Sequence, residues 1–267
     1  MTERIRLASD VVLWPAANPG PMTLDGTNTD VLGRPDHGPV AVVDPGPLEP
    51  SASMTAHRDA IMASGTIGAV LLTHRHLDHS ESASVVASAV NCPVRAVDPV
   101  WRVGPDGLDD GAELRYGDTR VQVVAAPGHT ADSVALLVHS EDGTVRLLSG
   151  DTVLGRGTTV ITRPDGDIGA YLDTLGRLHA LVVAHGVEAI LPGHGPVVSD
   201  PAAVLTAYLE HRMERLAQVR AARHGGANTA AEVVAVVYAG VDRTLRPAAE
   251  QSVLAQLDYL DATDGAW

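Results

Sequence analysis

Thr73-His74-Arg75-His76-Leu77-Asp78-His79 sets three imidazoles and a carboxylate within six consecutive residues. The apolar run Gly68-Ala69-Val70-Leu71-Leu72 precedes it, and Ser84-Val85-Val86-Ala87-Ser88 follows at helical spacing, so the stretch reads as strand, loop, helix. A loop leaving the end of a buried strand aims several side chains at one point more freely than a helix or strand interior does.

Three further segments repeat the arrangement: Pro127-Gly128-His129-Thr130, Ser149-Gly150-Asp151 and Pro192-Gly193-His194-Gly195. Each candidate ligand sits just past an extended apolar segment (121–125, 145–148 and 187–191), which lets all of them converge at one sheet edge. Pro and Gly before His129 and His194 supply the turn that ends the strand and permit close backbone approach. Five histidines and two aspartates, with no thiolate, form a donor set suited to Zn²⁺, with Mn²⁺ or Fe²⁺ as alternatives. Four such motifs in chain order are far less expected by chance than one isolated histidine.

With H-x-H-x-D-H present in full, the chain resembles the metallo-β-lactamase superfamily over roughly residues 5 to 223. That resemblance implies one metal on His74, His76 and His129, a second on Asp78, His79 and His194, and Asp151 bridging the two. It also implies an αββα sandwich of four layers and a hydrolase whose nucleophile is a hydroxide shared by two cations about 3.5–4 Å apart, from a water whose pKa falls toward roughly 7. Asp78 would orient that hydroxide or receive its proton, so Asp78 and Asp151 are the catalytic candidates.

The segments 18–29, 150–159 and Glu210-His211-Arg212 resemble the β-lactamase-like protein 2 branch. The branch includes single-stranded-RNA endoribonucleases and thioesterases acting on carrier-bound acyl chains. By this resemblance Asn28, Thr158 and Thr159 edge the pocket as substrate contacts. Two departures stand out. His79 is followed by Ser80-Glu81-Ser82 where the family places small glycines, which bears on the start of the next helix. The C-terminal module, a winged helix in the branch, leaves few residues for a wing before Asp261-Ala262-Thr263-Asp264-Gly265-Ala266-Trp267.

The 267 residues suit one large α/β domain with a small appendage, drawn at 1–224 and 225–267. Strands are expected over 4–14, 29–33 and 39–44 and a first helix over 50–63, with strands and helices alternating from there to about 200. Asp200-Pro201 is an N-cap and N1 pair opening a helix to about Arg223, closed by His224-Gly225-Gly226. On its wheel Arg212 shares an arc with Leu205, Tyr208, Leu209, Leu216 and Val219. An arginine there needs a partner, either a carboxylate in the fold or an anionic substrate at the pocket rim; His211 is expected to be exposed. Thr229-Ala230-Ala231-Glu232 is a capping box for a helix through Tyr238, and a second helix is expected over 247–259.

All nineteen basic residues are arginine, and the formal charge is −14. Acidic balance, aromatic residues at 3% and an acidic C-terminal module argue against a nucleic-acid reader, which would bring a basic stripe and stacking rings. The module is expected to cover the pocket or form a dimer contact. One cysteine, Cys92, no apolar leader and no run of about 18 apolar residues predict a soluble, cytoplasmic protein without a membrane span. The leading expectation is a di-zinc hydrolase of a small ester or thioester; the alternative is a single-stranded-RNA endoribonuclease.

Overall fold

The computed structural model describes residues 4–264. Met1–Glu3 and Gly265–Trp267 lie outside the described residues, and with them the first residues of the leader reading and the last of the wing reading. Two sheets face each other. The first has six strands in the order β1 (Ile5–Arg6), β2 (Val11–Pro15), β3 (Asn28–Leu32), β4 (Val40–Val43), β5 (Ile67–Leu71) and β6 (Val94–Arg95). In the second, β11 (Ala189–Pro192) pairs with β10 (Val145–Gly150), followed by β9 (Val134–His139), β8 (Thr119–Ala125) and β7 (Glu113–Tyr116). The strand expected over 4–14 is therefore a hairpin of two, with Ile5 opposite Leu13.

Period-two alternation within the strands assigns each side chain to a layer. Ala41, Val43, Ala69 and Leu71 of the first sheet meet Val121, Val123, Leu136, Val138 and Leu148 of the second in one core between the sheets. Their neighbours Val40, Val42 and Val70 point outward against α1 (Ala52–Met62) and α3 (Ala83–Val90) through Ile61, Val86 and Ala87, joined by Ile67, which lies beyond a register shift in the β4–β5 pairing that breaks the alternation. On the other side Ala135, Leu137, Leu147 and Ile190 pack against α4 (Ile168–His185) and α5 (Pro201–His224). The result is the four-layer αββα sandwich. Each fully buried Val or Leu in it contributes about 1.5–3 kcal/mol.

Steady strand–helix alternation to residue 200 does not hold. From Glu113 to Gly150 four strands run antiparallel with no helix between them. Tight turns make this possible: Tyr116 pairs with Thr119 across Gly117, whose φ of 62° is the left-handed value that two-residue hairpins require.

The C-terminal module comprises α6 (Ala230–Val237), a short 3-10 turn (Arg243–Leu245) and α7 (Arg246–Asp264), with no strand among its described residues. The capping box is present: Thr229 Oγ1 accepts from Glu232 N, and Glu232 Oε2 accepts from Thr229 N. No helix among the described residues is long and apolar enough to cross a membrane.

His57 of α1 is buried, with Nε2 3.1 Å from Thr29 Oγ1, which itself donates to the Asp44 carbonyl at 2.7 Å. Burial, then Arg58, lowers its pKa to about 4. A neutral imidazole in the fold against one titrating near 6.5 in the unfolded chain stabilises above pH 6.5 and loses that contribution as pH falls toward 4. In metal-free protein, urea unfolding should lose stability between about pH 7 and 4.5 by about 2–3 kcal/mol more in wild type than in His57→Gln. Parallel pH profiles for the two proteins would remove His57 from the account.

Candidate metal centre

The segment 72–79 leaves β5 and crosses the gap between the sheets. It is anchored where Val134 N donates to the Thr73 carbonyl at 2.8 Å and where Thr73 N donates to Asp44 Oδ1 at 2.8 Å. A short helix, α2 (Leu77–Ser80), then carries Asp78 and His79. Ser80-Glu81-Ser82, the departure from small glycines, holds this corner in place. Ser80 Oγ donates to the Arg75 carbonyl at 2.9 Å, Ser82 Oγ to the Pro47 carbonyl at 2.7 Å, and Glu81 Oε2 accepts from Leu48 N at 2.9 Å. His129 follows β8, Asp151 follows β10 and His194 follows β11, so the three come from the second sheet and the 74–79 cluster from the first.

All seven expected ligands meet, in two groups. His74, His76, His129 and Asp151 form one, and Asp78, His79 and His194 the other, each with its donor atoms within 4.8 Å of one another. His76 Nδ1 lies 3.1 Å from His74 Nε2 and 3.0 Å from His129 Nε2. In the second group His194 Nε2 lies 3.2 Å from His79 Nε2 and 3.1 Å from Asp78 Oδ2. Asp151 reaches both, with Oδ1 3.4 Å from His79 Nε2 and Oδ2 3.4 Å from His194 Nε2 and 3.7 Å from His129 Nε2.

The outward ring nitrogens show that these imidazoles aim lone pairs inward. His129 Nδ1 donates to the Val160 carbonyl at 2.9 Å and His194 Nδ1 to the Gly26 carbonyl at 3.1 Å, leaving each Nε2 unprotonated in the neutral ring. His79 Nδ1 donates to Asp44 Oδ2 at 2.8 Å. His74 Nδ1 is 3.1 Å from Thr73 Oγ1, whose own proton goes to Asp44 Oδ2 at 2.6 Å. Asp151 Oδ1 is buried without a hydrogen-bond partner. A Cβ added at Gly193 would stand 2.6 Å from that atom and 2.7 Å from His79 Cε1. The donors converge, one acceptor is orphaned and the backbone is held back to leave room, so the residues fit a binuclear metal site.

The electrostatics agree. Burial lowers the pKa of His74 well below its ordinary value, lowers His76, and takes His129 to about 4. Burial acts the same way on His79 and His194, yet Asp151 beside both, with Asp44 on His79 and Asp78 on His194, holds His79 well up and His194 at about 9. Asp151 itself stays well below the carboxylate range: its burial is outweighed by His79 and His194. A field that draws protons onto imidazoles draws divalent cations, which displace those protons.

Beside the ligands opens a cavity of about 370 Å³ whose lining includes His129 and Asp151. Thr158 lines it, as does Thr159, whose buried hydroxyl donates to the Asp151 carbonyl at 2.7 Å and so braces the ligand loop. Asn28 is not in the lining. Its side-chain amide donates to the Pro192 and Gly195 carbonyls, both at 2.9 Å, tying the His194 loop to β3. Arg212 lines the cavity and forms no ion pair with a carboxylate among the described residues; it donates to the Thr159 carbonyl and lies 5.1 Å from the Tyr171 ring centre. His211, expected to be exposed, is half-buried on the same wall, bordering a cavity that the C-terminal module also lines. Tyr238, Val241, Leu245 and Ala249 of that module close one side, so it covers the pocket.

Sequence reasoning missed Asp44. Its signal was present in Val43-Asp44-Pro45-Gly46 at the end of a buried strand, since an aspartate with φ of 50° is a conformation that short polar side chains tolerate best. Arg215 and Tyr238 were not tied to the pocket either, because only packing of α6 onto α5 brings them there.

The metallo-beta-lactamase superfamily model matches residues 23–194, and a beta-lactamase associated winged helix domain matches 229–264. The chain belongs to the metallo-beta-lactamase superfamily. It is 32% identical over 275 residues to a beta-lactamase-like protein 2 homolog of Drosophila melanogaster, covering 96% of this chain and 89% of that one. It is 28% identical over 254 residues to an atrochrysone carboxyl ACP thioesterase of Aspergillus fumigatus, covering 87% and 74%. Among solved structures, a metallo-beta-lactamase family protein from Thermus thermophilus shares the fold at a TM-score of 0.78 and 21% identity, over 97% of this chain and 95% of that one.

Two substitutions test the supports. Asp44→Asn should lower metal affinity about 10–100-fold in chelator competition, since it removes a charged acceptor behind His79 and Thr73; affinity equal to wild type would make Asp44 a packing residue only. Asn28→Ala should cost about 1–3 kcal/mol by stranding two loop carbonyls. A raised KM at unchanged melting temperature would instead mark Asn28 as a substrate contact.

Proposed function

We propose that the protein is a di-zinc hydrolase of a small ester or thioester, acting on an acyl thioester in particular. The observation that carries this reading is the cavity. It is bounded by Met22, Leu24, Leu154, Val160, Val241 and Leu245, roofed by the C-terminal module, and open to His129 and Asp151. Such an enclosure, largely apolar with a few convergent polar groups, suits an acyl chain. A relative named as an ACP thioesterase supports the substrate class.

Zinc fits a donor set of imidazole and carboxylate, with Mn²⁺ or Fe²⁺ accommodated by the same atoms. His74, His76 and His129 would hold one ion, Asp78, His79 and His194 the other, and Asp151 would be common to both. Divalent cations held there would supply Lewis acidity toward a substrate carbonyl and make a bound water more acidic. The chain's own residues do the rest. Asp78 keeps a lowered pKa: burial raises it, but His194 and His79 outweigh that, so its carboxylate is ionised and available to take a proton at neutral pH. Its side chain, 29% exposed, is the open side of the ligand set, against 11% for Asp151. Thr158 and Thr159 form the wall beside the reacting group, and the module excludes water from the acyl chain. The buried thiol of Cys92 suits a reducing cytosol, where we place the protein.

A second reading, endonucleolytic cleavage of single-stranded RNA, draws on Arg156, Arg212 and Arg215 in the cavity lining. Against it, Tyr238 is the only aromatic side chain among the described residues of that lining able to stack on a base, apart from the histidines.

Zinc-loaded protein should hydrolyse a medium-chain acyl thioester and leave labelled single-stranded RNA intact. Asp151→Ala and His76→Ala, or a strong chelator, should reduce turnover to background together with bound metal. RNA cleavage that disappears in Asp151→Ala, without thioester turnover by wild type, would overturn the reading in favour of the second.

A further inference from the structure

Arg212 and Arg215 line one wall of the cavity, and neither pairs with a carboxylate among the described residues. The chain has 33 acidic side chains to draw on; Arg156 and Arg163 each pair with one, and Arg75 with two. Arg212 is 4% exposed, and its Nε is buried without a partner. Arg215, three residues on along α5, donates to Gln218 Oε1 at 2.9 Å and the Val237 carbonyl at 3.0 Å, with its guanidinium 4.4 Å from the Tyr238 ring centre. Beside Arg212 in sequence, on the same wall, His211 leaves Nδ1 buried and unpartnered. Burial, then Arg212 and Arg215, pushes the His211 pKa down, as a cationic field does.

A buried guanidinium without an anion, as at Arg212, is costly, and the half-buried Arg215 on the same wall adds a second positive charge facing the cavity. We infer that this wall binds an anionic oxygen group, carboxylate or phosphate, carried on the substrate away from the bond that is cut. The inference rests on the ester and thioester reading and narrows it. Arg212 stands next to the chemistry, since Thr159 links it to the Asp151 backbone. Arg215 is held by α6 and the residue that caps it, Tyr238, so the C-terminal module completes the subsite as well as covering it. The planar forks of two arginines match either anion in bidentate fashion, and the apolar lining between suits the chain that joins anion to thioester.

The test compares N-acetylcysteamine thioesters of hexanoate, adipate and 6-phosphooxyhexanoate on the zinc-loaded full chain. Wild type should favour at least one anionic substrate over the neutral one by about tenfold or more in kcat/KM, mainly through KM, and added salt should shrink the preference. Whether adipate or the phosphate ester gains more identifies the anion. Arg215→Gln should bring the ratio near one, and Arg215→Lys should restore part of it. Because the ratio is taken within one preparation, it is insensitive to a fraction of misfolded protein. Equal kcat/KM for neutral and anionic thioesters in wild type, or a preference that Arg215→Gln leaves intact, overturns the subsite while leaving the hydrolase reading in place. If no thioester turns over, the thioester reading fails, and calorimetry with adipamate and 6-phosphooxyhexanamide against hexanamide decides the subsite. Tighter binding of either anion, lost in Arg215→Gln, upholds it, and equal binding of all three removes it.

Discussion

One carboxylate, that of Asp44, holds the two halves of the metal centre in register. Oδ1 takes the Thr73 backbone proton, while Oδ2 takes the Thr73 hydroxyl and the His79 ring. The Thr73 hydroxyl is thereby left with lone pairs for His74. One ligand of each metal group thus depends on the same anion for its tautomer, in a place where a misdirected proton would block coordination.

That arrangement needs the sandwich. The ligands leave the ends of β5, β8, β10 and β11, which belong to two different sheets, and they meet only because the inter-sheet core fixes the separation of those ends. Close-packed interiors resist small shifts. The donors sit at the rim of that core, at the height where Gly193 lets the backbone approach Asp151 and His79. Asn28 and the Thr27–His194 bridge then tie the last ligand loop back to the first sheet.

The C-terminal module lines one side of the cavity beside the metal centre. Its helices pack on α5 through Val233, Val234 and Val253, and ion pairs from Arg163 to Asp258 and Arg223 to Asp261 pin its outer side. Across the mouth, Asp25 and Arg156 join the loops on either side of the entrance. The acidity of the whole chain therefore says little about the pocket, where Arg212 and Arg215 line the wall with no carboxylate partner among the described residues.

Much of this was legible in order along the chain. Metal ligands announce themselves because their chemistry demands particular residue types at strand ends, and Asp200-Pro201 and Thr229–Glu232 mark helix starts because capping is local. The strand run from Glu113 to Gly150 was not legible as such, since apolar segments joined by short turns look alike in alternating and antiparallel topologies. Asn28 and Thr159 have backbone carbonyls as their partners, which no side-chain pattern records. The sequence by itself determined which histidines and aspartates are candidate ligands, the superfamily and the layered α/β architecture, because periodicity and donor chemistry are written in neighbouring residues. Only the tertiary structure decided that Asp44 supports the centre, that Arg212 and Arg215 share one cavity wall, and that the C-terminal helices close it. Each of these is a contact between residues far apart in the chain or on different elements, and it exists only once packing has brought them together.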